Sequence, residues 1–115
     1  MDDLLEALRK FRDDRDWAKF HTPKDLAVSV SIEAGELLEL FQWRHDGHDT
    51  SEVNRSRVAE EASDVLIYAL LLLDRLGLDP RQEVLNKIAR NAERFPVDES
   101  FGVPSAFLKA ANRRR

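Results

Sequence analysis

The 115-residue chain contains no cysteine, one methionine, and only four glycines and four prolines. The absence of cysteine excludes disulfides, cysteine-ligated zinc, iron–sulfur clusters and thiol nucleophiles together. Long apolar runs are also lacking, since the longest, Val65 to Leu73, is far shorter than the roughly 18–20 residues that a membrane span needs. The chain begins with Asp2 and Asp3 and shows no basic region of a secretory signal. The sequence therefore predicts a cytoplasmic protein with no membrane contact.

Negative charge is in excess, because the chain contains 22 acidic and 18 basic residues and has a formal net charge of −4. The last basic residues lie beyond Ser100, where no acid follows, so the body of the chain is more acidic than the total indicates. An acidic surface repels phosphate backbones, which argues against a nucleic-acid-binding protein. The length fits one small core. We expect one domain over residues 1–96 and a tail over residues 97–115 that is partly ordered or disordered.

Almost all of the glycines and prolines lie between stretches of helical apolar periodicity, which predicts an all-α fold built as a four-helix bundle. The helices are expected near residues 3–17, 22–43, 51–77 and 79–95. Thr22 and Pro23 have the residue types that begin a helix, and Gly77 has the type that ends one. The third helix is apolar on nearly every side, so we expect it to be the central and most buried element.

The second helix carries two acids that its apolar pattern does not explain. Glu33 falls on the stripe of the helix that should face the core, and Glu36 lies one turn further along beside that stripe. Neither acid has a lysine or arginine three or four positions away on its own helix. Carboxylates buried without a counter-charge are costly. Something outside this helix must therefore neutralise them.

The third helix repeats this spacing with Glu61 and Asp64, immediately before its apolar run. If the two helices pack face to face, four carboxylates converge, and such oxygen ligands suit Mg²⁺ or Mn²⁺. In the alternative interpretation Glu61 pairs with Arg57, while Glu33 and Glu36 turn to solvent. Two acid pairs on neighbouring apolar stripes favour the metal site. A di-iron centre is not expected, because no glutamate is followed three residues later by histidine.

The fourth helix supplies the opposite charge, since Lys87, Asn91 and Arg94 follow at i, i+4 and i+7 on one face. Such a face can bind phosphate oxygens, although a solvated basic face explains the same spacing. Aromatic residues flank the acids: Trp17 precedes the second helix and Trp43 lies near its end. One of them can stack on a nucleotide base, while a role in the core is the commoner one for these residue types.

Four segments together resemble the MazG-like all-α nucleotide pyrophosphohydrolases and, within that superfamily, the dCTP pyrophosphatase branch. The segments are residues 15–21 (RDWAKFH), 33–37 (EAGEL), 41–43 (FQW) and 60–68 (EEASDVLIY). The basic face of the fourth helix, followed by Phe95 and Pro96, is also similar to the family's fourth helix. The resemblance covers about residues 4–96.

The resemblance implies a Mg²⁺-dependent reaction in which a dNTP, preferably one like dCTP, and water yield a dNMP and pyrophosphate. This reaction would clear nucleotides from the cellular pool. The implied metal ligands are Glu33, Glu36, Glu61 and Asp64. Either Glu33 or Glu36 would also be the general base. The implied nucleotide contacts are Trp17, His21, Trp43, Tyr68 and Asn91, and the implied phosphate contacts are Lys87 and Arg94.

Two further expectations concern partners. The second helix has a second apolar side, with Val28 and Ile32 opposite the stripe that holds Glu33, and one small bundle cannot cover both sides. This pattern predicts a homodimer or homotetramer, in agreement with the family that the chain resembles. The alternative function is a non-catalytic nucleotide-binding regulator or helical interaction module, which the full set of acids disfavours.

Overall fold

The computed structural model describes residues 1–44, 50 and 53–104. All regular elements in these ranges are helical, which confirms the predicted all-α class. The elements are α1 (Asp2–Asp14), a short 3₁₀ helix (Ala18–Phe20), α2 (Pro23–Glu39), α3 (Arg55–Arg75), α4 (Pro80–Arg94) and α5 (Val97–Ser100). The chain forms two compact units, the first over residues Met1–Leu78 and the second from Asp79 onward. The expected division into residues 1–96 and a tail stays a prediction.

The core of the first unit lies where α2 and α1 pack on α3. Four leucines are buried there: Leu5 of α1, Leu26 of α2, and Leu70 and Leu71 of α3. Full burial of such a side chain contributes about 1.5–3 kcal/mol to folding. The third helix is central within this unit, as predicted, because it contacts both of the others. It is not buried on every side, however, since 62% of Leu66 is exposed.

The start of α2 follows its sequence signals. The hydroxyl of Thr22 accepts a hydrogen bond from the backbone N–H of Asp25 at 3.1 Å, and Pro23 occupies the first helical position. These are the cap and first-turn roles that were predicted. The helix ends at Glu39 rather than near Trp43, and residues 40–43 form turns. The predicted end was therefore four residues too late.

The third helix begins at Arg55, later than predicted, because Asn54 caps it by accepting a hydrogen bond from the Arg57 N–H at 3.2 Å. Its end agrees with the prediction. Gly77 adopts a φ of 72°, in the left-handed region that favours glycine, and its N–H donates to the carbonyl of Asp74 at 3.0 Å. The long α3 therefore ends just before the second unit begins.

The first helix ends at Asp14, three residues before the predicted end at Trp17. Asp16 takes a φ of 53° and reverses the chain, so that the Trp17 N–H donates back to the Arg12 carbonyl at 3.1 Å. The reversal brings Trp17 against Phe11, with ring centroids 5.6 Å apart in an edge-to-face arrangement. The early end of α1 thus places an indole beside the α1–α3 interface.

The second unit contains α4 and α5. Asp79 caps α4 by accepting a hydrogen bond from the Arg81 N–H at 3.3 Å, and the helix ends at Arg94, before Phe95 and proline, close to the prediction. The α5 turn was not predicted, and the short turn expected after Pro104 lies outside the described residues. No helix in the described part of the chain is both long and apolar enough to cross a membrane.

Candidate active site

The facing sides of α2 and α3 bring acids together. Glu33, Glu61 and Asp64 are half-buried, and one carboxylate oxygen from each lies within 4.8 Å of the others. Glu36 lies one turn further along α2, is exposed, and is close enough to Glu33 and Glu61 for their charges to act on one another. All four acids singled out from the sequence therefore meet at one place, which we call the acid cluster.

The carboxylates of this cluster repel one another. Hydrogen bonding to Glu33, followed by the repulsion between their charges, raises the pKa of Glu36. Burial and then hydrogen bonding to Glu36 raise the pKa of Glu61, while the positive charge of Arg57 lowers it as a minor influence. Within the described ranges Glu61 forms no ion pair with Arg57, the partner that the alternative interpretation required. Among the described residues, no recorded ion pair joins a lysine or arginine to the acid cluster.

Two oxygens of the cluster fit a bound cation. The Oε2 atoms of Glu33 and Glu61 are buried and have no hydrogen-bond partner among the described residues. Buried polar atoms in proteins are nearly always paired, because an unpaired one loses its hydration without compensation. A divalent cation would supply both the missing bonds and the missing charge. Ligand sets made only of carboxylate oxygen suit hard cations such as Mg²⁺, Mn²⁺ and Ca²⁺.

A cavity of about 230 Å³ adjoins the cluster within the first unit. It is lined by Leu8, Phe11 and Arg12 of α1, by Trp17 and His21 of the following segment, and by Asp64, Ile67, Tyr68 and Leu71 of α3. Three of the predicted nucleotide contacts, Trp17, His21 and Tyr68, share this one space. Asp64 belongs both to the cavity lining and to the acid cluster, so the two features are continuous.

His21 is the one histidine in this lining. Its Nδ1 atom is buried and has no hydrogen-bond partner in the part of the chain that the structure describes. Burial, and to a lesser degree the charge of Arg12, lower the pKa of His21. The imidazole is therefore neutral at ordinary pH and offers one donor and one acceptor nitrogen.

The remaining predicted contacts lie elsewhere. Trp43 follows the end of α2, is 82% exposed, and is absent from the cavity lining. On α4, Asn91 is half-buried, whereas Lys87 and Arg94 are exposed, and the Arg94 guanidinium lies 5.2 Å from the centre of the Phe95 ring. The roles of these four residues stay predictions.

Sequence reasoning missed the contribution of α1. Leu8, Phe11 and Arg12 line the cavity, yet the predicted site residues include none from α1. A signal was present, because Leu5, Leu8 and Arg12 follow at i, i+3 and i+7 and share one face of the helix. Arg12 is therefore a charged residue on an apolar stripe, the same kind of anomaly that identified Glu33.

Comparison with known proteins identifies the family. The sequence profile of the MazG-like family matches residues 28–108. The chain belongs to the MazG-like family. This MazG-like chain is 38% identical over 106 residues to dCTP pyrophosphatase 1 from Mus musculus. The matched region covers 89% of this chain and 62% of the mouse protein. The chain is 39% identical over 101 residues to the Homo sapiens protein of the same name, covering 84% and 59% of the two chains.

The MazG-like chain thus spans less than two thirds of the length of these mammalian relatives. The chain matches a larger share of a relative whose structure has been solved. This relative is a pyrophosphatase from Archaeoglobus fulgidus, whose sequence is 47% identical and whose crystal structure superposes with a TM-score of 0.78. The match covers 84% of this chain and 92% of that one. Both the family resemblance and the all-α fold predicted from the sequence are therefore confirmed.

Proposed function

We propose that this chain is a Mg²⁺-dependent nucleoside triphosphate pyrophosphohydrolase, which converts a dNTP and water to a dNMP and pyrophosphate and prefers dCTP. The observation that carries the proposal is an acid cluster beside a cavity with aromatic walls, in which two buried oxygens have no hydrogen-bond partner among the described residues. Relatives named as a pyrophosphatase and as dCTP pyrophosphatase 1 support the activity, and the latter support the choice of base. The cellular role would be to clear nucleotides from the cytoplasmic pool.

The metal ligands in this proposal are Glu33, Glu36, Glu61 and Asp64, with Mn²⁺ able to replace Mg²⁺. The bound cation would neutralise the charge of the triphosphate and make a water molecule more acidic. The donor set supports this assignment, because every ligand is a carboxylate and two of the oxygens have no hydrogen-bond partner within the described ranges. The protein itself contributes the position of these ligands on two packed helices.

A general base must take the proton of the attacking water. We assign this role to Glu36, with Glu33 as the second candidate. Glu36 lies outside the close group formed by Glu33, Glu61 and Asp64, and it is the exposed member of the cluster. An exposed carboxylate can meet water directly, and Glu36 lies on the same helix as Glu33, one turn away from it.

The nucleotide would occupy the cavity beside Asp64, with its phosphates at the acid cluster that would hold the metal. Trp17 and Tyr68 would flank the base, His21 would hydrogen-bond to its edge or to the sugar, and Trp43 would stack on the ring from outside. Lys87, Asn91 and Arg94 would contact the nucleotide and its phosphates. The two cations of this set would stabilise charge on the departing pyrophosphate.

The same proposal includes a homodimer or homotetramer. Two apolar side chains on the second face of α2, Val28 and Ile32, are 46% and 55% exposed. Gly35, on the same helix, has no neighbouring atom within 4 Å of the position that a Cβ would take. A second backbone can therefore approach closely there. Exposed apolar patches of this kind mark contact surfaces, and identical chains form symmetric ones.

Pyrophosphate release from each of the four dNTPs, measured with Mg²⁺, with Mn²⁺ and with neither, tests the proposal. We expect metal-dependent release, fastest for dCTP. Nucleotide binding without release under all conditions would favour the regulator instead. The absence of both binding and release would favour an interaction module.

A further inference from the structure

One charged residue of the cavity lining has no part in the reaction proposed above. Arg12 lines the cavity, and 17% of its side chain is exposed. Its guanidinium donates to two carboxylates: Nη1 to Asp74 at 3.1 Å, and Nε and Nη2 to Asp13 at 2.8 and 3.2 Å. The group is therefore fixed in position by side chains from two helices.

The hydrogen bonds of Arg12 to Asp13 and Asp74 do not use all of the N–H groups of its guanidinium. A guanidinium carries five N–H groups, and three of them serve Asp13 and Asp74. One N–H remains on each of the two terminal nitrogens. Because the group is planar and stays protonated in proteins, this donor pair keeps its geometry and its charge at any ordinary pH.

The local charge balance argues against a phosphate as the ligand of these donors. Arg9 donates to the same Asp74 carboxylate at 2.6 Å, so two arginines face the two carboxylates of Asp13 and Asp74. Arg12 brings no uncompensated positive charge to the cavity. It acts there as a hydrogen-bond donor, which suits a neutral group with acceptor atoms.

The position of Arg12 also separates it from the acid cluster. Asp74, to which its guanidinium is bonded, is ten residues beyond Asp64 on α3, a rise of about 15 Å along the helix. Arg12 and His21 line the same cavity, so these two polar groups face one space. With the phosphates of a nucleotide at the acid cluster, the base would point toward Arg12.

We propose that Arg12 selects the base of the nucleotide by donating its two remaining N–H groups to adjacent acceptors. Cytosine offers such a pair at O2 and N3, whereas uracil, of the same size, carries a hydrogen on N3. Arg12 is thus a specificity-determining residue that favours cytosine over uracil. This inference rests on the proposed function, because it requires a base in the cavity.

The test compares Arg12→Met with Arg9→Met. Both variants remove a partner of Asp74, but only Arg12 lines the cavity, so Arg9→Met is the matched control. The measurement is the ratio of kcat/KM for dCTP to that for dUTP. We expect Arg12→Met to lower this ratio by about 5- to 150-fold, the discrimination that a two-bond guanidinium contact gives between bases. Arg9→Met should leave the ratio unchanged.

Arg12→Lys keeps a positive charge beside Asp74 but loses the planar donor pair. Circular dichroism of each variant establishes that it is folded. If Arg12→Met fails to fold, Arg12→Lys carries the test, and we expect the same direction of change in the ratio. An unchanged ratio in a folded Arg12 variant overturns the proposal. An equal fall in Arg9→Met also overturns it, because the effect would then belong to the α1–α3 ion pair.

Calorimetry with dCMP and dUMP, without metal, separates this proposal from the proposed reaction. The wild-type protein should bind dCMP more tightly than dUMP, and Arg12→Met should abolish the difference. If the protein releases no pyrophosphate yet shows this pattern, the reaction is wrong and the role of Arg12 stands. Equal binding of dCMP and dUMP by the wild-type protein overturns the role of Arg12 even if dCTP is hydrolysed.

Discussion

Asp74→Asn should destabilise the first unit, because Asp74 links α3 to α1. Its carboxylate, 16% exposed, accepts hydrogen bonds from Arg9 at 2.6 Å and from Arg12 at 3.1 Å. Hydrogen bonds to charged groups contribute about 1.5–3 kcal/mol each when shielded. The Arg9 side chain is 45% exposed, so solvent screening weakens its bond to Asp74, and Arg12 retains its bonds to Asp13. We expect the free energy of unfolding to fall by about 1–3 kcal/mol.

Urea unfolding followed by circular dichroism at pH 7 measures this loss. The control is Asp14→Asn, which removes the partner of Lys10 in an i, i+4 pair of 2.7 Å whose side chains are 76% and 54% exposed. Such a pair contributes only about 0.3–0.5 kcal/mol. If Asp74→Asn costs no more than Asp14→Asn, the α1–α3 ion pair does not stabilise the fold and the reasoning is refuted.

The pH dependence gives a second check on the same carboxylate. Hydrogen bonding from Arg9 is the main cause that lowers the pKa of Asp74 below its ordinary value, which is about 3.9 for aspartate. A lowered folded-state pKa contributes stability above the unfolded-state pKa, and this stability is lost as the pH falls through the folded-state pKa. The stability difference between the wild-type protein and Asp74→Asn should therefore be constant near neutral pH and shrink below about pH 4. A difference that grows in acid would contradict this account.

Three further predictions address the proposed function. Glu33→Gln and Glu61→Gln should each abolish Mg²⁺-dependent pyrophosphate release, because each removes a proposed metal ligand. The metal-free protein should stay as stable or gain stability, because each change removes a charge from a repelling cluster. Near wild-type release by either variant would exclude that residue from the ligand set. Trp43→Ala should weaken binding of a non-hydrolysable dCTP analogue by about 1–3 kcal/mol in calorimetry, and unchanged affinity would remove it from the base site. Ile32→Glu should give a smaller, less active species in gel filtration with light scattering, whereas a fully active monomeric wild type would refute the assembly.

The elements of the fold were predictable where one local signal decides. Thr22 with Pro23 begins α2, and Gly77 ends α3, because a cap hydrogen bond or a positive φ depends on the residues nearby. Other bounds were not predictable in this way. The end of α1 depends on Asp16 adopting a left-handed conformation, which few non-glycine residues do. The position of Trp17 follows from that reversal and could not be derived from helical spacing.

The acid cluster was predictable because the unfavourable burial of an unpaired carboxylate can be recognised from the residues of a single helix. Glu33 lies on a core-facing stripe without a cation on its own helix, so its presence required a partner from outside. The cavity was less accessible to sequence reasoning. Its walls combine three segments, and which side chains border the space depends on how α1 packs on α3. Hydrophobic periodicity identifies the faces of these helices but not the gaps between them.

Arg12 and Glu33 show that a charged residue on an apolar helix stripe can be neutralised in two different ways. Each is a charged residue on an apolar stripe, and each would be costly if buried alone. Arg12 finds its counter-charges in Asp13 and, across the helix interface, in Asp74. Glu33 instead meets other carboxylates, and its buried Oε2 atom has no hydrogen-bond partner in the part of the chain that the structure describes. Arg12 has its counter-charges within the protein and therefore links α1 to α3, whereas the acids around Glu33 repel one another and, in our proposal, are neutralised by a bound cation.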